Sequence, residues 1–259
     1  MPEVIADTAR EQQLGHLRSM VENSPKRRPW AAIALLGVVG VGAVVDGFSI
    51  AVQEQRQEGG WYYGLPMLAL AVLALWASLW MGFKPGPPKT WVAWYEHGIV
   101  HRVADEEPEA YEWGDISWVA RRDIKVVKQF GSYMKYNLLI LPETGGLIVV
   151  DNLFDGVLQF AEELTEAFAR IRVPHELARI EQGERVHFGS QLDINAGGLG
   201  QGDRRIGWRE VERIDFKQGS MYIYRHGDRK AWMTLSAVGF PNLLVFLAMS
   251  EALRRGAVS

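Results

Sequence analysis

The chain has 259 residues, 48% of them hydrophobic, with a formal net charge of −3 and a pI near 6.1. Cysteine is absent, which excludes disulfide staples, thiolate chemistry and cysteine zinc sites, and the mildly acidic balance argues against nucleic acid as a partner. The average conceals an uneven chain, because long apolar runs near the start are diluted by a polar remainder.

Residues 1–29 form a leader. Its apolar positions Leu14, Leu17 and Val21 make a thin helical stripe, so a loosely ordered tail is expected, with a short amphipathic surface helix as the alternative. Residues 30–83 follow as two apolar runs, 30–52 and 61–83, each long enough at ~1.5 Å per residue to cross a hydrocarbon layer of ~30 Å. Lys26, Arg27 and Arg28 precede the first run and Lys84 and Lys89 follow the second, whereas the loop between carries Arg56 against Glu54 and Glu58. That asymmetry predicts a transmembrane helical hairpin in the cell membrane, multi-pass, with both termini cytoplasmic. A cleaved signal peptide fits less well, since a long leader precedes the first run and a second run follows at once. Ala34, Gly37, Gly40 and Ala43 suit close helix packing. Asp46 is the single charge within the runs and is read as a hydrated interface residue, with an intramembrane polar site as the sharper alternative.

Residues 84–89, KPGPPK, read as a linker that no helix can traverse. Beyond them the apolar period changes from helix to strand: Trp91, Ala93 and Tyr95 alternate, then Ile124 and Val126, the stretch Tyr133 to Leu141, and Leu147 to Val150. A helical face follows in Phe154, Val157, Leu158, Ala161, Leu164 and Phe168, with Asp151 or Asn152 as its cap and Pro174 just past its end. The same order then recurs. Val186, Phe188, Leu192 and Ile194 alternate, strand-like segments run through Met221 to Tyr224 and Ala231 to Leu235, and a helix from about Pro241 turns Leu243, Phe246, Leu247, Ser250 and Leu253 inward. The repeat is visible in letters: Gly98-Ile99 leads to Trp113-Gly114-Asp115-Ile116, and Gly198-Leu199 leads to Trp208-Arg209-Glu210-Val211. Two copies of one strand-and-helix fold are therefore expected, at 90–172 and 176–256.

On these phrases, and on Gly183 to Gly189 and Phe240 to Leu247 of the second copy, the chain resembles bacterial pleckstrin-homology-like (PH-like) domains, and in particular an uncharacterised family of actinobacterial membrane proteins. The resemblance implies a bent antiparallel sheet plus a C-terminal helix in each copy. The fold class expected is thus membrane-anchored α+β, a two-helix transmembrane hairpin followed by two tandem PH-like domains. It implies no activity, because the fold hosts lipid binders and protein binders alike.

Trp113 and Trp208, like Trp94, Trp118 and Trp232, read as core residues before anything else. Basic residues give the first functional hypothesis: Arg121, Arg122, Lys125 and Lys128 in the first copy, and Arg204, Arg205, Arg209 and Arg213 in the second, could face anionic headgroups. Solvated strand faces paired with Asp123, Asp203, Glu210 and Glu212 are the plainer reading. Enzymatic motifs fail on context. His97 and His101 follow Glu96 on a strand and turn instead of a helix, Ser132-Tyr133-Met134-Lys135 lies in an alternating strand, and the Gly197 to Gly202 turn lacks the phosphate-loop spacing. The function expected is a non-enzymatic, membrane-anchored adaptor whose partner is an unidentified envelope protein, bound at exposed sheet edges or at the groove between copies. An anionic lipid headgroup sensor is the alternative and an enzyme the third reading, with no cofactor or metal in any of them.

Overall fold

The computed structural model describes residues 3–23, 69, 72, 73, 76, 87–129 and 131–258. The chain divides into two compact units, Met1–Ser24 with Lys89–Ser259, and Pro25–Pro88. Of the second unit, Ala69, Val72, Leu73 and Trp76 are helical and exposed. Among the described residues no helix is long and apolar enough to cross a membrane. The two-helix transmembrane hairpin expected at 30–52 and 61–83 is corrected on that finding, as is the multi-pass membrane location with cytoplasmic termini that rested on it. Apolar length satisfies one condition for a span, and an unbroken helix that satisfies its own backbone is the other. The hairpin, Asp46 within it and residues 84–86 of the linker fall outside the described residues, apart from the positions named above. What the structure shows is a mainly β protein with three helices among the described residues.

The first unit contains the duplication. It opens with a helix, α1 (Glu3–Glu11), and a four-stranded antiparallel sheet of β1 (Leu17–Glu22), β2 (Thr90–Tyr95), β3 (Gly98–Val103) and β4 (Glu109–Glu112), in that order. A single 3-10 turn at Trp113–Asp115 leads to β5 (Ile116–Arg121). A two-stranded ribbon, β6 (Ile124–Lys128) and β7 (Gly131–Lys135), interrupts the return to β8 (Asn137–Pro142) and β9 (Ile148–Asp151). β5, β8 and β9 form a second antiparallel sheet, closed by α2 (Val157–Glu181). The second copy repeats the order: β10 (Val186–Phe188), β11 (Leu192–Asn195), β12 (Gly198–Gln201) and β13 (Arg204–Gly207) form one sheet, a 3-10 turn at Trp208–Glu210 follows, β14 (Val211–Lys217), β15 (Ser220–Arg225) and β16 (Met233–Ser236) form the other, and α3 (Leu243–Val258) ends the unit.

The leader is not a tail. β1 pairs with β2 to complete the first sheet, and Ile5, Ala9 and Leu14 pack on Trp91, Ala93, Tyr95 and Val100 over its outer face. Ile5 and Ala9 sit four apart on one helical face, which is the spacing that lets α1 cover a sheet. The first copy therefore starts before residue 90, and residues 24–88 are inserted between its first two strands. Val21 and Val92 face the other way, into a continuous core that runs through both copies to Met249. Each fully buried Ile, Leu or Phe there, such as Leu138, Ile140, Leu164 and Phe246, contributes about 1.5–3 kcal/mol. The alternation foreseen from Tyr133 to Leu141 is real over β8, where Leu138 and Ile140 are buried in turn with Pro142.

α2 does not stop before Pro174. The proline lies inside a 25-residue helix whose first half closes the first copy and whose last turns lead into β10, as α1 leads into β1. Pro174 removes one backbone donor, and burial of Phe168 before it and Ile180 after it holds the helix together. Leu158, expected inward, is 40% exposed, and Phe160 takes the buried place. Glu176 is buried on this helix between Arg172, 2.6 Å away, and Arg179 at 2.8 Å.

Both tryptophan motifs are built alike. The Trp113 indole N–H donates to the Glu96 carbonyl and the Trp208 indole N–H to the Asn195 carbonyl, each at 2.8 Å. The Asp115 and Glu210 carboxylates accept from the backbone N–H groups of Glu112 and Gly207 at 3.2 and 3.1 Å. That bond, with the Arg225 guanidinium beside it, holds the Glu210 carboxyl below the usual range.

Candidate functional site

Where the two copies meet, the second closes an edge of the first. The Val119 N–H donates to Asn242 Oδ1 and the Asn242 N–H to the Val119 carbonyl, both at 2.8 Å, and the Gly239 N–H donates to the Arg121 carbonyl at 2.9 Å. Asn242 reaches this position at φ 53°, a left-handed conformation that asparagine tolerates better than most side chains. An otherwise open strand edge is thereby paired. Beside it lies a groove of ≈ 380 Å³ lined chiefly by apolar side chains, among them Val119, Phe168, Val238, Phe240 and Leu244. Arg121 and Asp123, paired at 2.9 Å, are the charged groups on its wall. No nucleophile and base face one another there, and among the described residues no group of three or more His, Asp or Glu is placed to hold a metal.

The basic residues singled out in the sequence separate into two sets. In the second copy all four are engaged locally: Arg204 donates to the Trp232 carbonyl at 2.7 Å and lies over its ring, Arg205 pairs with Asp193 at 2.6 Å, Arg209 donates to the Ala257 carbonyl at 2.6 Å, and Arg213 pairs with Glu212 and Asp215 and stacks on Tyr224. Asp203, one of the expected partners, takes no part in these pairs. In the first copy Arg121 is held by Asp123 and Glu162, while Arg122, Lys125 and Lys128 are exposed at the base and along the ribbon of β6 and β7.

That ribbon is the principal difference between the copies. β14 passes to β15 through Gln218-Gly219, but the corresponding β5 and β8 are separated by residues 122–136. Every residue of β7 is exposed, and Val127 on β6 is 75% exposed. Cross-strand pairing puts Val126 opposite Tyr133 and Lys125 opposite Met134, and the Lys128 ammonium lies 5.3 Å from the Tyr133 ring. Between Ile124 and Pro142 there is no acidic residue, so Lys125, Lys128 and Lys135 stand without a counter-charge on their own ribbon. A two-stranded ribbon alone is marginal in water. This one is pinned at its base, where the Tyr136 N–H donates to Asn152 Oδ1 at 2.5 Å and Asn152 Nδ2 donates to the Met134 carbonyl at 3.1 Å. Sequence reasoning singled out Lys125 and Lys128 and missed Val127, Tyr133, Met134 and Lys135. The signal available was the acid-free run itself and the greater length of this segment in the first copy.

Two sheet-and-helix copies fused through one long helix, with an exposed ribbon on the first, define a duplicated β-rich domain. The chain belongs to a family described as Family of unknown function (DUF6585), which matches residues 1–257. This agrees with the expectation of an uncharacterised family. No curated protein matches the chain. A solved structure described as the Spt16D Pob3N heterodimer is similar over 57% of this chain and 86% of that chain, at 14% identity and a TM-score of 0.19, which is too low to bear on the fold.

Proposed function

We propose that the protein is a non-enzymatic adaptor made of two PH-like copies, and that the ribbon of β6 and β7 is the arm by which it holds a partner protein. The order of four strands, three strands and a helix in each copy supports the PH-like part. The observation that carries the function is the exposure of Val127, Tyr133 and Met134 beside three lysines on a ribbon whose outer strand edges pair with no strand among the described residues. Exposed apolar side chains beside an unpaired strand edge are the elements of strand-addition binding. A photocrosslinking residue in place of Tyr133 in the full chain should give protein adducts in cells that the same residue in place of Thr234 does not. Identical adducts from both positions would remove the reading.

The uncompensated lysines favour a second reading, a sensor of anionic lipid headgroups. Each Lys near an anionic surface contributes about 1 kcal/mol, so three give a weak, salt-sensitive contact. Co-sedimentation of the full chain with anionic and with neutral vesicles separates the readings. Binding to anionic vesicles alone, lost on replacing residues 122–136 by Gln-Gly, supports the sensor, and equal behaviour with both supports the adaptor.

A further inference from the structure

We infer that the occupant of the ribbon is a second copy of this chain, docked through the acidic edge of its first sheet. The inference rests on reading the ribbon as a binding arm and names what the arm holds. Its warrant is a pair of departures from the repeat, both in the first copy and opposite in charge. The ribbon is one. The other is the connection from β3 to β4, which runs through residues 104–108, whereas β12 passes to β13 through Gly202-Asp203. That longer loop and the strand after it carry Asp105, Glu106, Glu107, Glu109 and Glu112, all exposed. In the second copy the corresponding strand carries Arg204 and Arg205. The acidity of this edge is therefore not a requirement of the fold.

The local neighbours of the acidic segment leave most of its charge unmet. Among the described residues Asp105, Glu106 and Glu107 make no salt bridge; Arg102 gives its Nε–H to the Glu106 carbonyl and lies over the Trp91 ring, and His101 lies 3.8 Å from Glu109. β4 is also the last strand of its sheet, so one side of its backbone pairs with no strand among the described residues. β6 and β7 present the same kind of edge with the opposite charge. An antiparallel pairing of β4 with one edge of the ribbon from another molecule would bring Lys125, Lys128 and Lys135 against five carboxylates and cover Val127, Tyr133 or Met134. Ribbon against ribbon would oppose lysines, and β4 against β4 would oppose glutamates, so charge selects the unlike pair. The contact joins different patches on the two molecules.

The test is capture between two differently tagged full-length copies produced together. Wild-type chains should capture one another at ~50 mM salt and at least about tenfold less at ~500 mM, because screening weakens an interface of exposed charges. K125E/K128E/K135E chains, and separately D105K/E106K/E107K chains, should each capture themselves at least about tenfold less than wild type. A K125E/K128E/K135E chain paired with a D105K/E106K/E107K chain should recover capture to within about threefold of wild type, a rescue that misfolded chains could not give. Absence of wild-type self-capture, or self-capture that neither charge reversal changes, overturns the inference. If self-capture fails while the Tyr133 adducts to another protein persist, the partner named here is wrong and the adaptor reading stands.

Discussion

Asn23 and Thr90 are 67 positions apart in the chain and bonded to each other in both directions: the Asn23 N–H donates to the Thr90 carbonyl at 3.0 Å, and the Thr90 N–H donates to Asn23 Oδ1 at 2.7 Å. Asn23 is also buried and bridges to Phe154. The two ends of the inserted segment are thus tied together within the first sheet. Replacing residues 24–88 by a Gly-Ser-Gly turn should leave a folded protein whose urea midpoint is unchanged or higher, since shortening a closed loop lowers its entropic cost. Loss of the cooperative transition would show that the insertion is part of the fold. Asn23→Ala in the full chain should cost about 1–2 kcal/mol by the same measurement, because the part-buried Thr90 N–H loses the Asn23 Oδ1 acceptor.

Gly98 and Gly198 hold the same place in the two copies. A Cβ on Gly98 would lie 2.1 Å from the Tyr111 carbonyl oxygen, and one on Gly198 would lie 2.0 Å from that of Ile206. Neither backbone can retreat without opening a strand pair. Gly98→Ala and Gly198→Ala should each cost about 2–4 kcal/mol in urea unfolding. Gly114→Ala and Gly146→Ala, where an added Cβ meets nothing within 4 Å, should change stability by less than about 0.5 kcal/mol.

Asn242 joins the copies by two kinds of interaction that can be separated. Asn242→Gly keeps the left-handed backbone and loses the side-chain bond to Val119, and should cost about 1–2 kcal/mol. Asn242→Ala loses the bond and strains the backbone, and should cost about 1 kcal/mol more. Equal costs for the two variants would mean that the backbone conformation relaxes freely.

His101 predicts the direction of acid destabilisation. Burial holds its pKa below the ordinary value of 6.5, against the opposing pull of Glu109 and Glu106. As pH falls below about 6.5 the unfolded chain takes the proton first, so stability declines from there down to the lowered folded value. Urea midpoints should fall between about pH 7.5 and 5.5, and His101→Gln should flatten that fall. At the alkaline end Tyr111, buried and hydrogen-bonded to Glu109, has its pKa pushed up to about 12. The folded state therefore loses its advantage as pH rises above the ordinary tyrosine value of about 10, which a phenolate absorbance titration of wild type and Tyr111→Phe would register.

The sequence by itself determined the duplication. Its glycine-to-tryptophan phrases carry the close approach at Gly98 and Gly198 and the indole bonds of Trp113 and Trp208, and these depend on residues near one another in the chain. The alternation over β8 and the inward face of Phe246 and Ser250 on α3 were legible for the same reason, because period alone reports them. Only the tertiary structure decided the rest. β1 finds its partner across 69 to 78 positions, α2 continues through Pro174 because both of its halves are packed, and Arg204, Arg205 and Arg209 are consumed by neighbours 12 to 48 positions away that no local pattern names, whereas Arg213 pairs with the adjacent Glu212 and with Asp215. Long-range pairing overrides local propensity wherever burial on both sides outweighs one lost backbone bond. Whether a lysine is left without a counter-charge is likewise set by what the fold brings beside it.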